Sequence, residues 1–381
     1  MPIKSLNYRL TDIAPMLDVS DTTVRRMIDD LKIQPHRIPA GSTTRPVYSI
    51  EQVLQLAKSK RQRHRPVFRP PLVISVYVPK GGVGKSTITN ELAAEFSLLG
   101  FNVLAIDLDD QASLTLMMGF NTDEVPEKDK PNPWLVSQTF LSVLFPDEGE
   151  SKTPTPLSQI VRAPYGEYGP KLVTADITLG KLVYILTNSP NRENAIRHWV
   201  ARQADKDLNE FDIVLIDNAP STSVVSRAAI VAADILLVPV RLDALTVKSI
   251  GFLANELTSL SKNKLDVPQV VAVPNMFRHS SSRSARVMAT LQKDFGEEVP
   301  IAPHISESER FPKSLSLLLD SGEPEQVLPV TFENWNRSFE RQHQEIRAVA
   351  SYLLGVAEQV RRRGEPPASL FDEPKGNQGI L

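Results

Sequence analysis

The chain of 381 residues contains no cysteine. This absence excludes disulfide bonds, zinc ribbons, thiol nucleophiles and iron–sulfur clusters held by thiolates. The six histidines are scattered, and no pair has the spacing of a metal site on a helix. No run of about 18 apolar residues is present, which predicts that no transmembrane helix forms. The first residues lack the apolar stretch of a signal peptide, so we expect a cytoplasmic protein without a membrane partner.

Charge is unevenly distributed along the chain. The net charge is −2, but residues 1–69 carry thirteen Lys and Arg against six Asp and Glu. A basic segment joined to an acidic remainder predicts a local contact with a polyanion. Charge alone leaves open the alternative of a solvated basic face that has no partner.

Residues 8–31 are typical of two short helices around a turn. From Tyr8 to Leu17, apolar residues recur at helical spacing, and Asp18-Val19-Ser20 forms the turn. Either Ser20 or Asp21 can cap the second helix. This layout predicts a helix-turn-helix.

The second of these helices has two distinct faces. We expect three apolar residues to face inward: Val24, Ile28 and Leu31. Four polar residues near its N-terminal end are expected to face outward: Thr22, Thr23, Arg25 and Arg26. In a helix-turn-helix, residues at these outward positions reach the edges of DNA bases. A small helical domain without any role in DNA binding is the alternative.

The residues that follow favour the DNA-binding interpretation. Pro39 to Pro46 reads as a hairpin tip, the wing of a winged helix-turn-helix, and contains Arg45. Ser49 can cap a further helix. A run without acidic residues comes next, with basic side chains at Lys58, Lys60, Arg61, Arg63, Arg65 and Arg69. Such a run serves as a linker that can also contact DNA phosphates.

The remainder predicts an α/β fold with a parallel sheet. Leu72 to Val78 is a continuous apolar run, as expected of a buried parallel strand. Further strands are predicted at 102–107, 212–217, 235–240 and 269–274, and helices near 86–99, 222–232, 246–261, 284–295 and 333–363. Residues 121–170 break this alternation and predict an insertion or mobile loop.

These patterns divide the chain into four expected segments. They are a helix-turn-helix domain over 1–57, a basic linker over 58–71, a P-loop ATPase domain over 72–363 and a disordered tail over 364–381.

A glycine-rich string follows the first strand of the α/β part. Its residues are Lys80, Gly81, Gly82, Val83, Gly84, Lys85, Ser86 and Thr87. The glycines let the backbone curl so that N–H groups point into one concavity, and the next helix adds its positive N-terminal end. Lys85 can reach the outer phosphates of a nucleotide, and the Ser86 hydroxyl can bind Mg²⁺. The string therefore predicts an ATP site. Position 79, where the usual pattern begins with Gly, is Pro.

Two later motifs accompany this loop. They are Ile106-Asp107-Leu108-Asp109-Asp110-Gln111 and Val214-Leu215-Ile216-Asp217-Asn218-Ala219-Pro220-Ser221. Together with the loop they resemble the ParA/MinD family of deviant Walker ATPases over about residues 72–320. With the N-terminal helix-turn-helix, the chain resembles the larger plasmid-type ParA proteins, which partition DNA and repress their own operon.

The resemblance implies roles for the charged residues. Lys85 and Ser86 would hold phosphate and Mg²⁺, and Lys80 corresponds to the signature lysine that reaches the partner's phosphates in an ATP-bound dimer. Asp109 matches the carboxylate that orients the attacking water. Asp107 would lie beside the metal, and Asp217 matches the Walker B aspartate. A capping or turn role is the alternative for Asp107 and Asp109.

The chain departs from the family pattern at two positions beside these carboxylates. Position 110 is Asp where the family usually has Pro, and position 218 is Asn where it often has Cys or Thr. Neither change removes a group that phosphoryl transfer needs, although both can alter the rate.

Two further sets of residues rest on the resemblance. Asn275 lies in the segment that the family places near the adenine. A sequence-independent DNA surface would comprise Arg278, Arg283, Arg286, Arg310 and Lys313. Acidic residues stand near Arg310 where the family tends to have a basic one, so a solvated charged face is the alternative.

The expected function is that of a nucleoid-associated, DNA-partitioning ATPase that uses ATP and Mg²⁺. The resemblance implies a homodimer on ATP and a ParB-like centromere-binding adaptor. A relative of the nitrogenase iron protein would need cysteines, and a MinD-like regulator a C-terminal amphipathic helix, which Pro374 and Gly376 break. A nucleotide-sensing transcriptional regulator remains as the alternative.

Overall fold

The N-terminal part folds as helices α1 (Leu10–Met16) and α2 (Asp21–Asp30), strands β1 (His36–Ala40) and β2 (Thr43–Val47), and helix α3 (Ile50–Arg61). This order of helix, turn, helix, hairpin and helix is the one that the sequence predicts. The computed structural model describes residues 7–61, 68–120, 122, 134–136, 138–145, 153–241, 244–278, 286, 288–289, 299–308, 328–333 and 340–364.

Local side-chain chemistry fixes the ends of these elements. The Ser20 hydroxyl accepts a hydrogen bond from the Thr23 backbone N–H at 3.2 Å, so Ser20 is the N-cap of α2. Gly41 adopts a φ of 66° in the two-residue turn between β1 and β2. Ser49 and Gln52 form a reciprocal capping box at the start of α3, with bonds of 3.0 and 3.3 Å.

Helix α2 presents its faces largely as the sequence predicts. Val24 and Ile28 are buried, together with Met27, and pack in the N-terminal core. The inward placement of Leu31 is wrong, because Leu31 is the C-cap residue of α2, beyond the buried face of the helix, and 36% of its surface is exposed. The outward side carries exposed side chains at Thr22, Arg25 and Arg26.

The larger part of the chain contains a six-stranded parallel sheet. Its strands are β3 (Leu72–Val76), β4 (Val103–Leu108), β5 (Lys171–Val173), β6 (Ile213–Asn218), β7 (Ile235–Arg241) and β8 (Gln269–Asn275), in the spatial order β5-β4-β6-β3-β7-β8. The predicted parallel α/β sheet is confirmed. The short strand β5 is an addition, since three residues show no periodicity that a sequence pattern can reveal.

Helices cover both faces of this sheet. They are α4 (Lys85–Leu98), α5 (Ser113–Met117), α6 (Phe140–Leu144), α7 (Leu157–Ile160), α8 (Leu179–Thr187), α9 (Ala195–Gln203), α10 (Val224–Ala232), α11 (Ala244–Lys262) and α12 (Glu340–Gly364). Because side chains alternate along a strand, Leu72 and Ile74 pack with residues of α4 and α12. Val73 packs on the opposite face with residues of α9 and α10.

The segment expected to be an insertion or mobile loop contains packed structure where it is described. Phe140 of α6 is fully buried and meets Trp199 edge to face, with 4.9 Å between ring centroids. Helix α7 adds the buried Leu157 and Ile160 to the same core. At the other end of the chain, the final helix begins at Glu340, and a 3₁₀ turn (Val330–Phe332) precedes it. The helix predicted near 284–295 lies outside the described residues except for positions 286, 288 and 289.

The N-terminal part is docked on helix α4. Ala94 and Leu98 of α4 belong to the same apolar cluster as the core of α1, α2 and α3, and so do Tyr165 and Phe332. Helix α3 continues into the segment expected to be a linker, where the Lys58 ammonium donates to the Asn102 side chain at 2.5 Å. The two parts of the chain therefore share a buried interface.

An ion pair of the larger part lies at this interface, and its arginine also bonds the N-terminal part. The Arg347 guanidinium of α12 meets the fully buried Glu95 carboxylate of α4 at 2.7 Å. The same guanidinium donates to the backbone carbonyls of Pro15 and Met16, at 3.2 and 2.6 Å, where α1 ends. One side chain thus joins the last helix, the phosphate-loop helix and the N-terminal part.

We predict that Arg347→Met lowers the free energy of unfolding by about 3–5 kcal/mol, because Glu95 loses its buried partner. The control is Arg341→Met on the same helix, where Arg341 is 57% exposed and pairs with Glu345. That change should cost about 0–1 kcal/mol. Chemical denaturation measures both values, and equal losses for the two variants would contradict the role of Arg347.

Candidate functional site

The phosphate loop connects β3 to α4 at the carboxyl edge of the sheet. Gly82 and Gly84 have φ values of 68° and 87°, in the region that only glycine adopts without strain. Gly84 is the N-cap of α4. The first N–H groups of this helix have no acceptor within the helix, and they point out of its N-terminal end toward the loop. Gly81 and Gly82 are exposed. This conformation is that of an anion-binding loop.

Asn275, at the end of β8, holds the loop from the side. Its amide Nδ2 donates to the Val83 carbonyl at 2.8 Å, and its Oδ1 accepts from the Met276 N–H at 2.9 Å. A Cβ on Gly84 would lie 2.5 Å from Asn275 Nδ2, so only glycine fits there. The expected contact of Asn275 with an adenine edge stays a prediction, because both polar ends of the amide bond the backbone here.

The two lysines of the loop have different environments. Lys85 is 7% exposed, and its ammonium donates to the Lys80 carbonyl at 2.8 Å. Burial lowers the pKa of Lys85, while the carboxylates of Asp217 and Asp109 oppose that change. The side chain of Lys80 is partly exposed at the start of the loop. Lys85 therefore faces the carboxylates of its own chain, and Lys80 lies nearer to solvent.

Strand register brings two carboxylates together below the loop. In the paired strands, Asp107 of β4 lies opposite Asp217 of β6, and Asp217 lies opposite Val76 of β3. Both aspartates are fully buried. Burial and the neighbouring Asp217 raise the pKa of Asp107 well above its usual range. Burial and mutual repulsion thus disfavour the ionised forms of these two carboxyl groups, and a bound cation would stabilise them.

Asp217 has the geometry of an open ligand. Its Oδ1 accepts a hydrogen bond from the Thr89 hydroxyl at 3.3 Å, whereas its Oδ2 has no hydrogen-bond partner among the described residues. Burial raises the pKa of Asp217 to about 7, and the Ser86 hydroxyl and the Lys85 ammonium oppose this shift. A buried carboxylate oxygen without a donor, beside a serine hydroxyl, fits the oxygen ligands that Mg²⁺ prefers.

The described residues contain no group of three or more His, Asp or Glu that could bind a metal by itself. A nucleotide-dependent Mg²⁺ site does not need one, because the phosphates and water supply the other ligands.

Asp107 is occupied by protein donors. Its Oδ1 accepts from the Asp109 N–H at 3.1 Å, and its Oδ2 accepts from the Thr115 N–H and hydroxyl at 2.9 and 2.7 Å. These bonds fix the segment that carries Asp109. The expected place of Asp107 beside a metal stays a prediction, and the contacts seen are those of a positioning residue.

Asp109 lies at the mouth of this arrangement with 6% of its surface exposed. Its carboxylate accepts the Gln111 N–H at 3.0 Å. Burial raises the pKa of Asp109, against the opposing effect of that hydrogen bond. Its carbonyl bonds the N–H of Ala112, whose φ of 53° is unusual for a residue other than glycine. Asp109 is therefore held on a tight turn.

The structure adds residues that the motifs did not indicate. A cavity of about 240 Å³ adjoins the phosphate loop and is lined in part by Thr87, Glu91, Arg241 and Glu307. Thr115 is buried and holds Asp107, eight residues earlier. No spacing rule predicts such a contact, because the turn after β4 has no regular period. Of these residues, Arg241 could have been predicted from the sequence, because it is a charged residue at the carboxyl end of β7, where ligands bind in parallel sheets.

The predicted DNA contacts divide into several groups. Thr23 is partly buried, and its hydroxyl lies 2.9 Å from that of Ser20, so it contributes to the cap of α2. Arg45 is exposed on β2, and Arg286 is exposed. The Arg278 guanidinium is paired with Glu307, with one bond of 2.8 Å and a second, shorter one. Three of the expected residues lie outside the described residues: Arg283, Arg310 and Lys313.

No helix in the part of the chain that the structure describes is long and apolar enough to cross a membrane.

We predict that Gly84→Ala weakens binding of ATP at least about tenfold. The new Cβ would meet Asn275 at 2.5 Å, and the φ of 87° is unfavourable for alanine, at a cost of about 1–2 kcal/mol. The control is Gly81→Ala, where the new Cβ would have no heavy atom within 4 Å among the residues that the structure describes, apart from its chain neighbours. Titration with a fluorescent ATP analogue measures both, with thermal melts as a check on folding. Equal affinities for the two variants would contradict the loop geometry.

Comparison with known proteins identifies the family of the larger part of the chain. A family model described as an AAA domain matches residues 72–267. A probable plasmid-partitioning protein ParA from Thermus thermophilus is 30% identical over 168 residues, 44% of this chain and 44% of that protein. The cell division protein PomZ from Myxococcus xanthus is 26% identical over 220 residues, 57% of this chain and 61% of PomZ. The chain thus matches only about half of the length of these relatives.

Solved structures share the fold. A structure named Partition Protein has a TM-score of 0.60 and 16% identity, covering 94% of this chain and 93% of that one. A cobyrinic acid a,c-diamide synthase from Mycobacterium smegmatis with bound ADP and magnesium has a TM-score of 0.56 and 21% identity, covering 76% of this chain and 96% of that one. The chain belongs to the AAA domain family, and its relatives confirm the ParA-type resemblance of its motifs.

Proposed function

We propose that the protein is a ParA-like ATPase that partitions DNA. It binds ATP with Mg²⁺, dimerises in that state, binds DNA without sequence preference, and hydrolyses ATP to release it. The observation that carries this proposal is the convergence of the phosphate loop, the inward Lys85 and the open Asp217 oxygen at one edge of the sheet.

The residues of the chain supply the steps of hydrolysis. Loop N–H groups and Lys85 bind the phosphates, and Ser86 and Asp217 are placed to hold Mg²⁺. Bound Mg²⁺ would neutralise charge on the phosphoryl oxygens. Asp109, fixed by Asp107 and Gln111, orients the attacking water. A solved protein of this fold holds ADP and magnesium, which supports the choice of ligand.

Lys80 gives the proposed dimer its dependence on ATP. Its side chain is partly exposed at the edge of the site, whereas Lys85 is buried within it. A cation in that position can approach the phosphates of a second copy. ATP then favours the dimer because this contact is made only when the outer phosphate is present. Coupling of roughly 2 kcal/mol is sufficient for a tens-fold change in affinity.

The N-terminal part is proposed to bind a specific operator and to repress the protein's own operon. Helix α2 presents Thr22, Arg25 and Arg26 to solvent, and the β1–β2 hairpin presents Arg45. Exposed polar and basic residues on a second helix and on a wing match the contacts of a winged helix-turn-helix. A ParB-like adaptor is the proposed partner that stimulates hydrolysis, and association with the nucleoid follows from the proposed DNA binding.

A second candidate function is that of a nucleotide-sensing transcriptional regulator without a role in segregation. The buried contact between α4 and the N-terminal part favours it, because α4 begins at the nucleotide loop and packs on the proposed operator-binding domain. Turnover of ATP measured with and without DNA and adaptor separates the two, since a sensor needs no stimulated hydrolysis.

We predict distinct defects for three substitutions in the site. Lys85→Ala should lose ATP binding, because the outer phosphates lose their main cation. Lys80→Ala should keep ATP binding and lose dimerisation and hydrolysis. Asp109→Ala should bind ATP and dimerise, while hydrolysis falls about a hundredfold or more. Equilibrium binding, sedimentation with ATP and phosphate release measure these properties.

Asp205→Ala is the control for the loss of an acidic residue, since Asp205 is exposed beyond the end of α9. A Lys80 variant that dimerises like the wild type would disprove its proposed role. Loss of ATP binding in the Asp109 variant would place that residue among the metal ligands instead.

We predict that the double variant Arg25→Ala, Arg26→Ala binds its operator about a hundredfold more weakly, because each base contact contributes about 1–3 kcal/mol. Its ATPase activity should be unchanged. The double variant Arg202→Ala, Lys206→Ala removes two exposed basic side chains from the ATPase part and should bind the operator normally. Footprinting on DNA upstream of the gene measures both, and equal footprints would refute the assignment.

A further inference from the structure

An apolar patch lies on the surface at helix α8. Among the described residues, six large hydrophobic side chains are exposed, and three of them fall within eight residues of sequence. These three are Ile177, Val183 and Tyr184, with exposed fractions of 84%, 38% and 73%. Single exposed apolar residues are ordinary, but a cluster marks an interaction site. We call these three residues the α8 patch.

The α8 patch lies at the same edge of the sheet as the phosphate loop. Strand β5 runs parallel to its neighbour β4, so the segments after both strands emerge at the same edge. A cleft of about 60 Å³ connects them, with Asp110, Gly180, Val183 and Ser221 among its lining residues. The patch therefore borders the turn that carries Asp109.

Hydrogen bonds fix the base of the patch to that turn. The Ala175 N–H donates to the Thr115 hydroxyl at 2.9 Å, and the same hydroxyl donates to Asp107 at 2.7 Å. Asp176 accepts the Thr178 N–H at 2.8 Å and so fixes the start of α8. A partner bound to the patch would thus contact an element already joined to the carboxylates of the site.

We propose that the α8 patch packs against a second copy of this chain in the ATP-bound dimer. This inference rests on the proposed function, in which Lys80 approaches the partner's phosphates across this same edge. A two-fold axis at that edge places the same surface of each copy against the other. The surface is self-complementary in charge, because it carries the exposed Asp110 and Lys181 beside the apolar side chains.

Gly180 makes the surface suitable for close approach and also allows a clean test. A Cβ at Gly180 would meet no heavy atom of the described residues within 4 Å beyond its own neighbours in the helix, so a side chain fits there in the single chain. In the proposed dimer the same side chain would lie at the interface. Gly355 is the matched control, because it also lies in a helix, is exposed and has open space around it.

The experiment compares full-length wild type, Gly180→Glu and Gly355→Glu by sedimentation with a non-hydrolysable ATP analogue and Mg²⁺. We expect the wild type and Gly355→Glu to dimerise, and the dimer of Gly180→Glu to be weakened at least a hundredfold. The affinity for ADP should be the same in all three, which shows that the site is intact. Tyr184→Glu should reproduce the defect, whereas Val267→Glu should not, since Val267 is 41% exposed before β8 at the opposite edge of the sheet.

The outcomes separate this inference from the proposed function. If the wild type dimerises and Gly180→Glu dimerises equally well, the patch assignment is wrong and the proposed function stands. If Gly180→Glu dimerises normally but loses stimulation of hydrolysis by the adaptor, the patch binds the adaptor and not a second copy. If the wild type stays monomeric with the analogue, both the dimer and the patch assignment are refuted.

Discussion

Burial of helix α4 on all sides is the constraint on which the rest of the structure depends. Twelve of its fourteen residues are buried, including the carboxylates of Glu91 and Glu95. A buried carboxylate needs donors, and the chain provides them from distant segments. Glu91 accepts the N–H groups of Val330 and Thr331, at 2.8 and 3.1 Å, and Glu95 pairs with Arg347. The helix that begins at the phosphate loop therefore fixes the C-terminal helix and the N-terminal part as well.

The carboxyl edge of the sheet resolves a second electrostatic problem. Parallel register forces Asp107 and Asp217 to lie side by side in the interior, where two like charges repel. The two aspartates differ in their hydrogen-bond partners. Asp107 accepts three hydrogen bonds, which fix the turn of Asp109, while one oxygen of Asp217 has no donor in the described part of the chain. One aspartate thereby positions the chain, and the other has an oxygen available for the proposed Mg²⁺ ion.

The sequence predicts those parts of the fold in which local pattern and burial agree. The apolar runs of β3 and β6 are buried on both faces, so their composition alone identifies them. The phosphate loop can be predicted equally well, because its glycines occupy backbone conformations that other residues do not adopt without strain. Thr115 and the pair of Glu95 with Arg347 could not be predicted, since their partners are set by the tertiary fold. The same holds for Leu31, whose exposure depends on where α2 ends.

Helix α4 packs against both parts of the chain and so connects the proposed ATPase activity with the proposed operator binding. Ala94 and Leu98 are covered by the N-terminal part, and Arg347 donates to the end of α1. An ATPase part without residues 1–70 would expose this apolar surface and leave the guanidinium without those acceptors. Packed interiors transmit strain because they have few voids. Helix α4 packs directly on α3 of the N-terminal part and on α12, whose Arg347 bonds the end of α1. The nucleotide loop and the proposed operator-binding surface are therefore connected through packed helices.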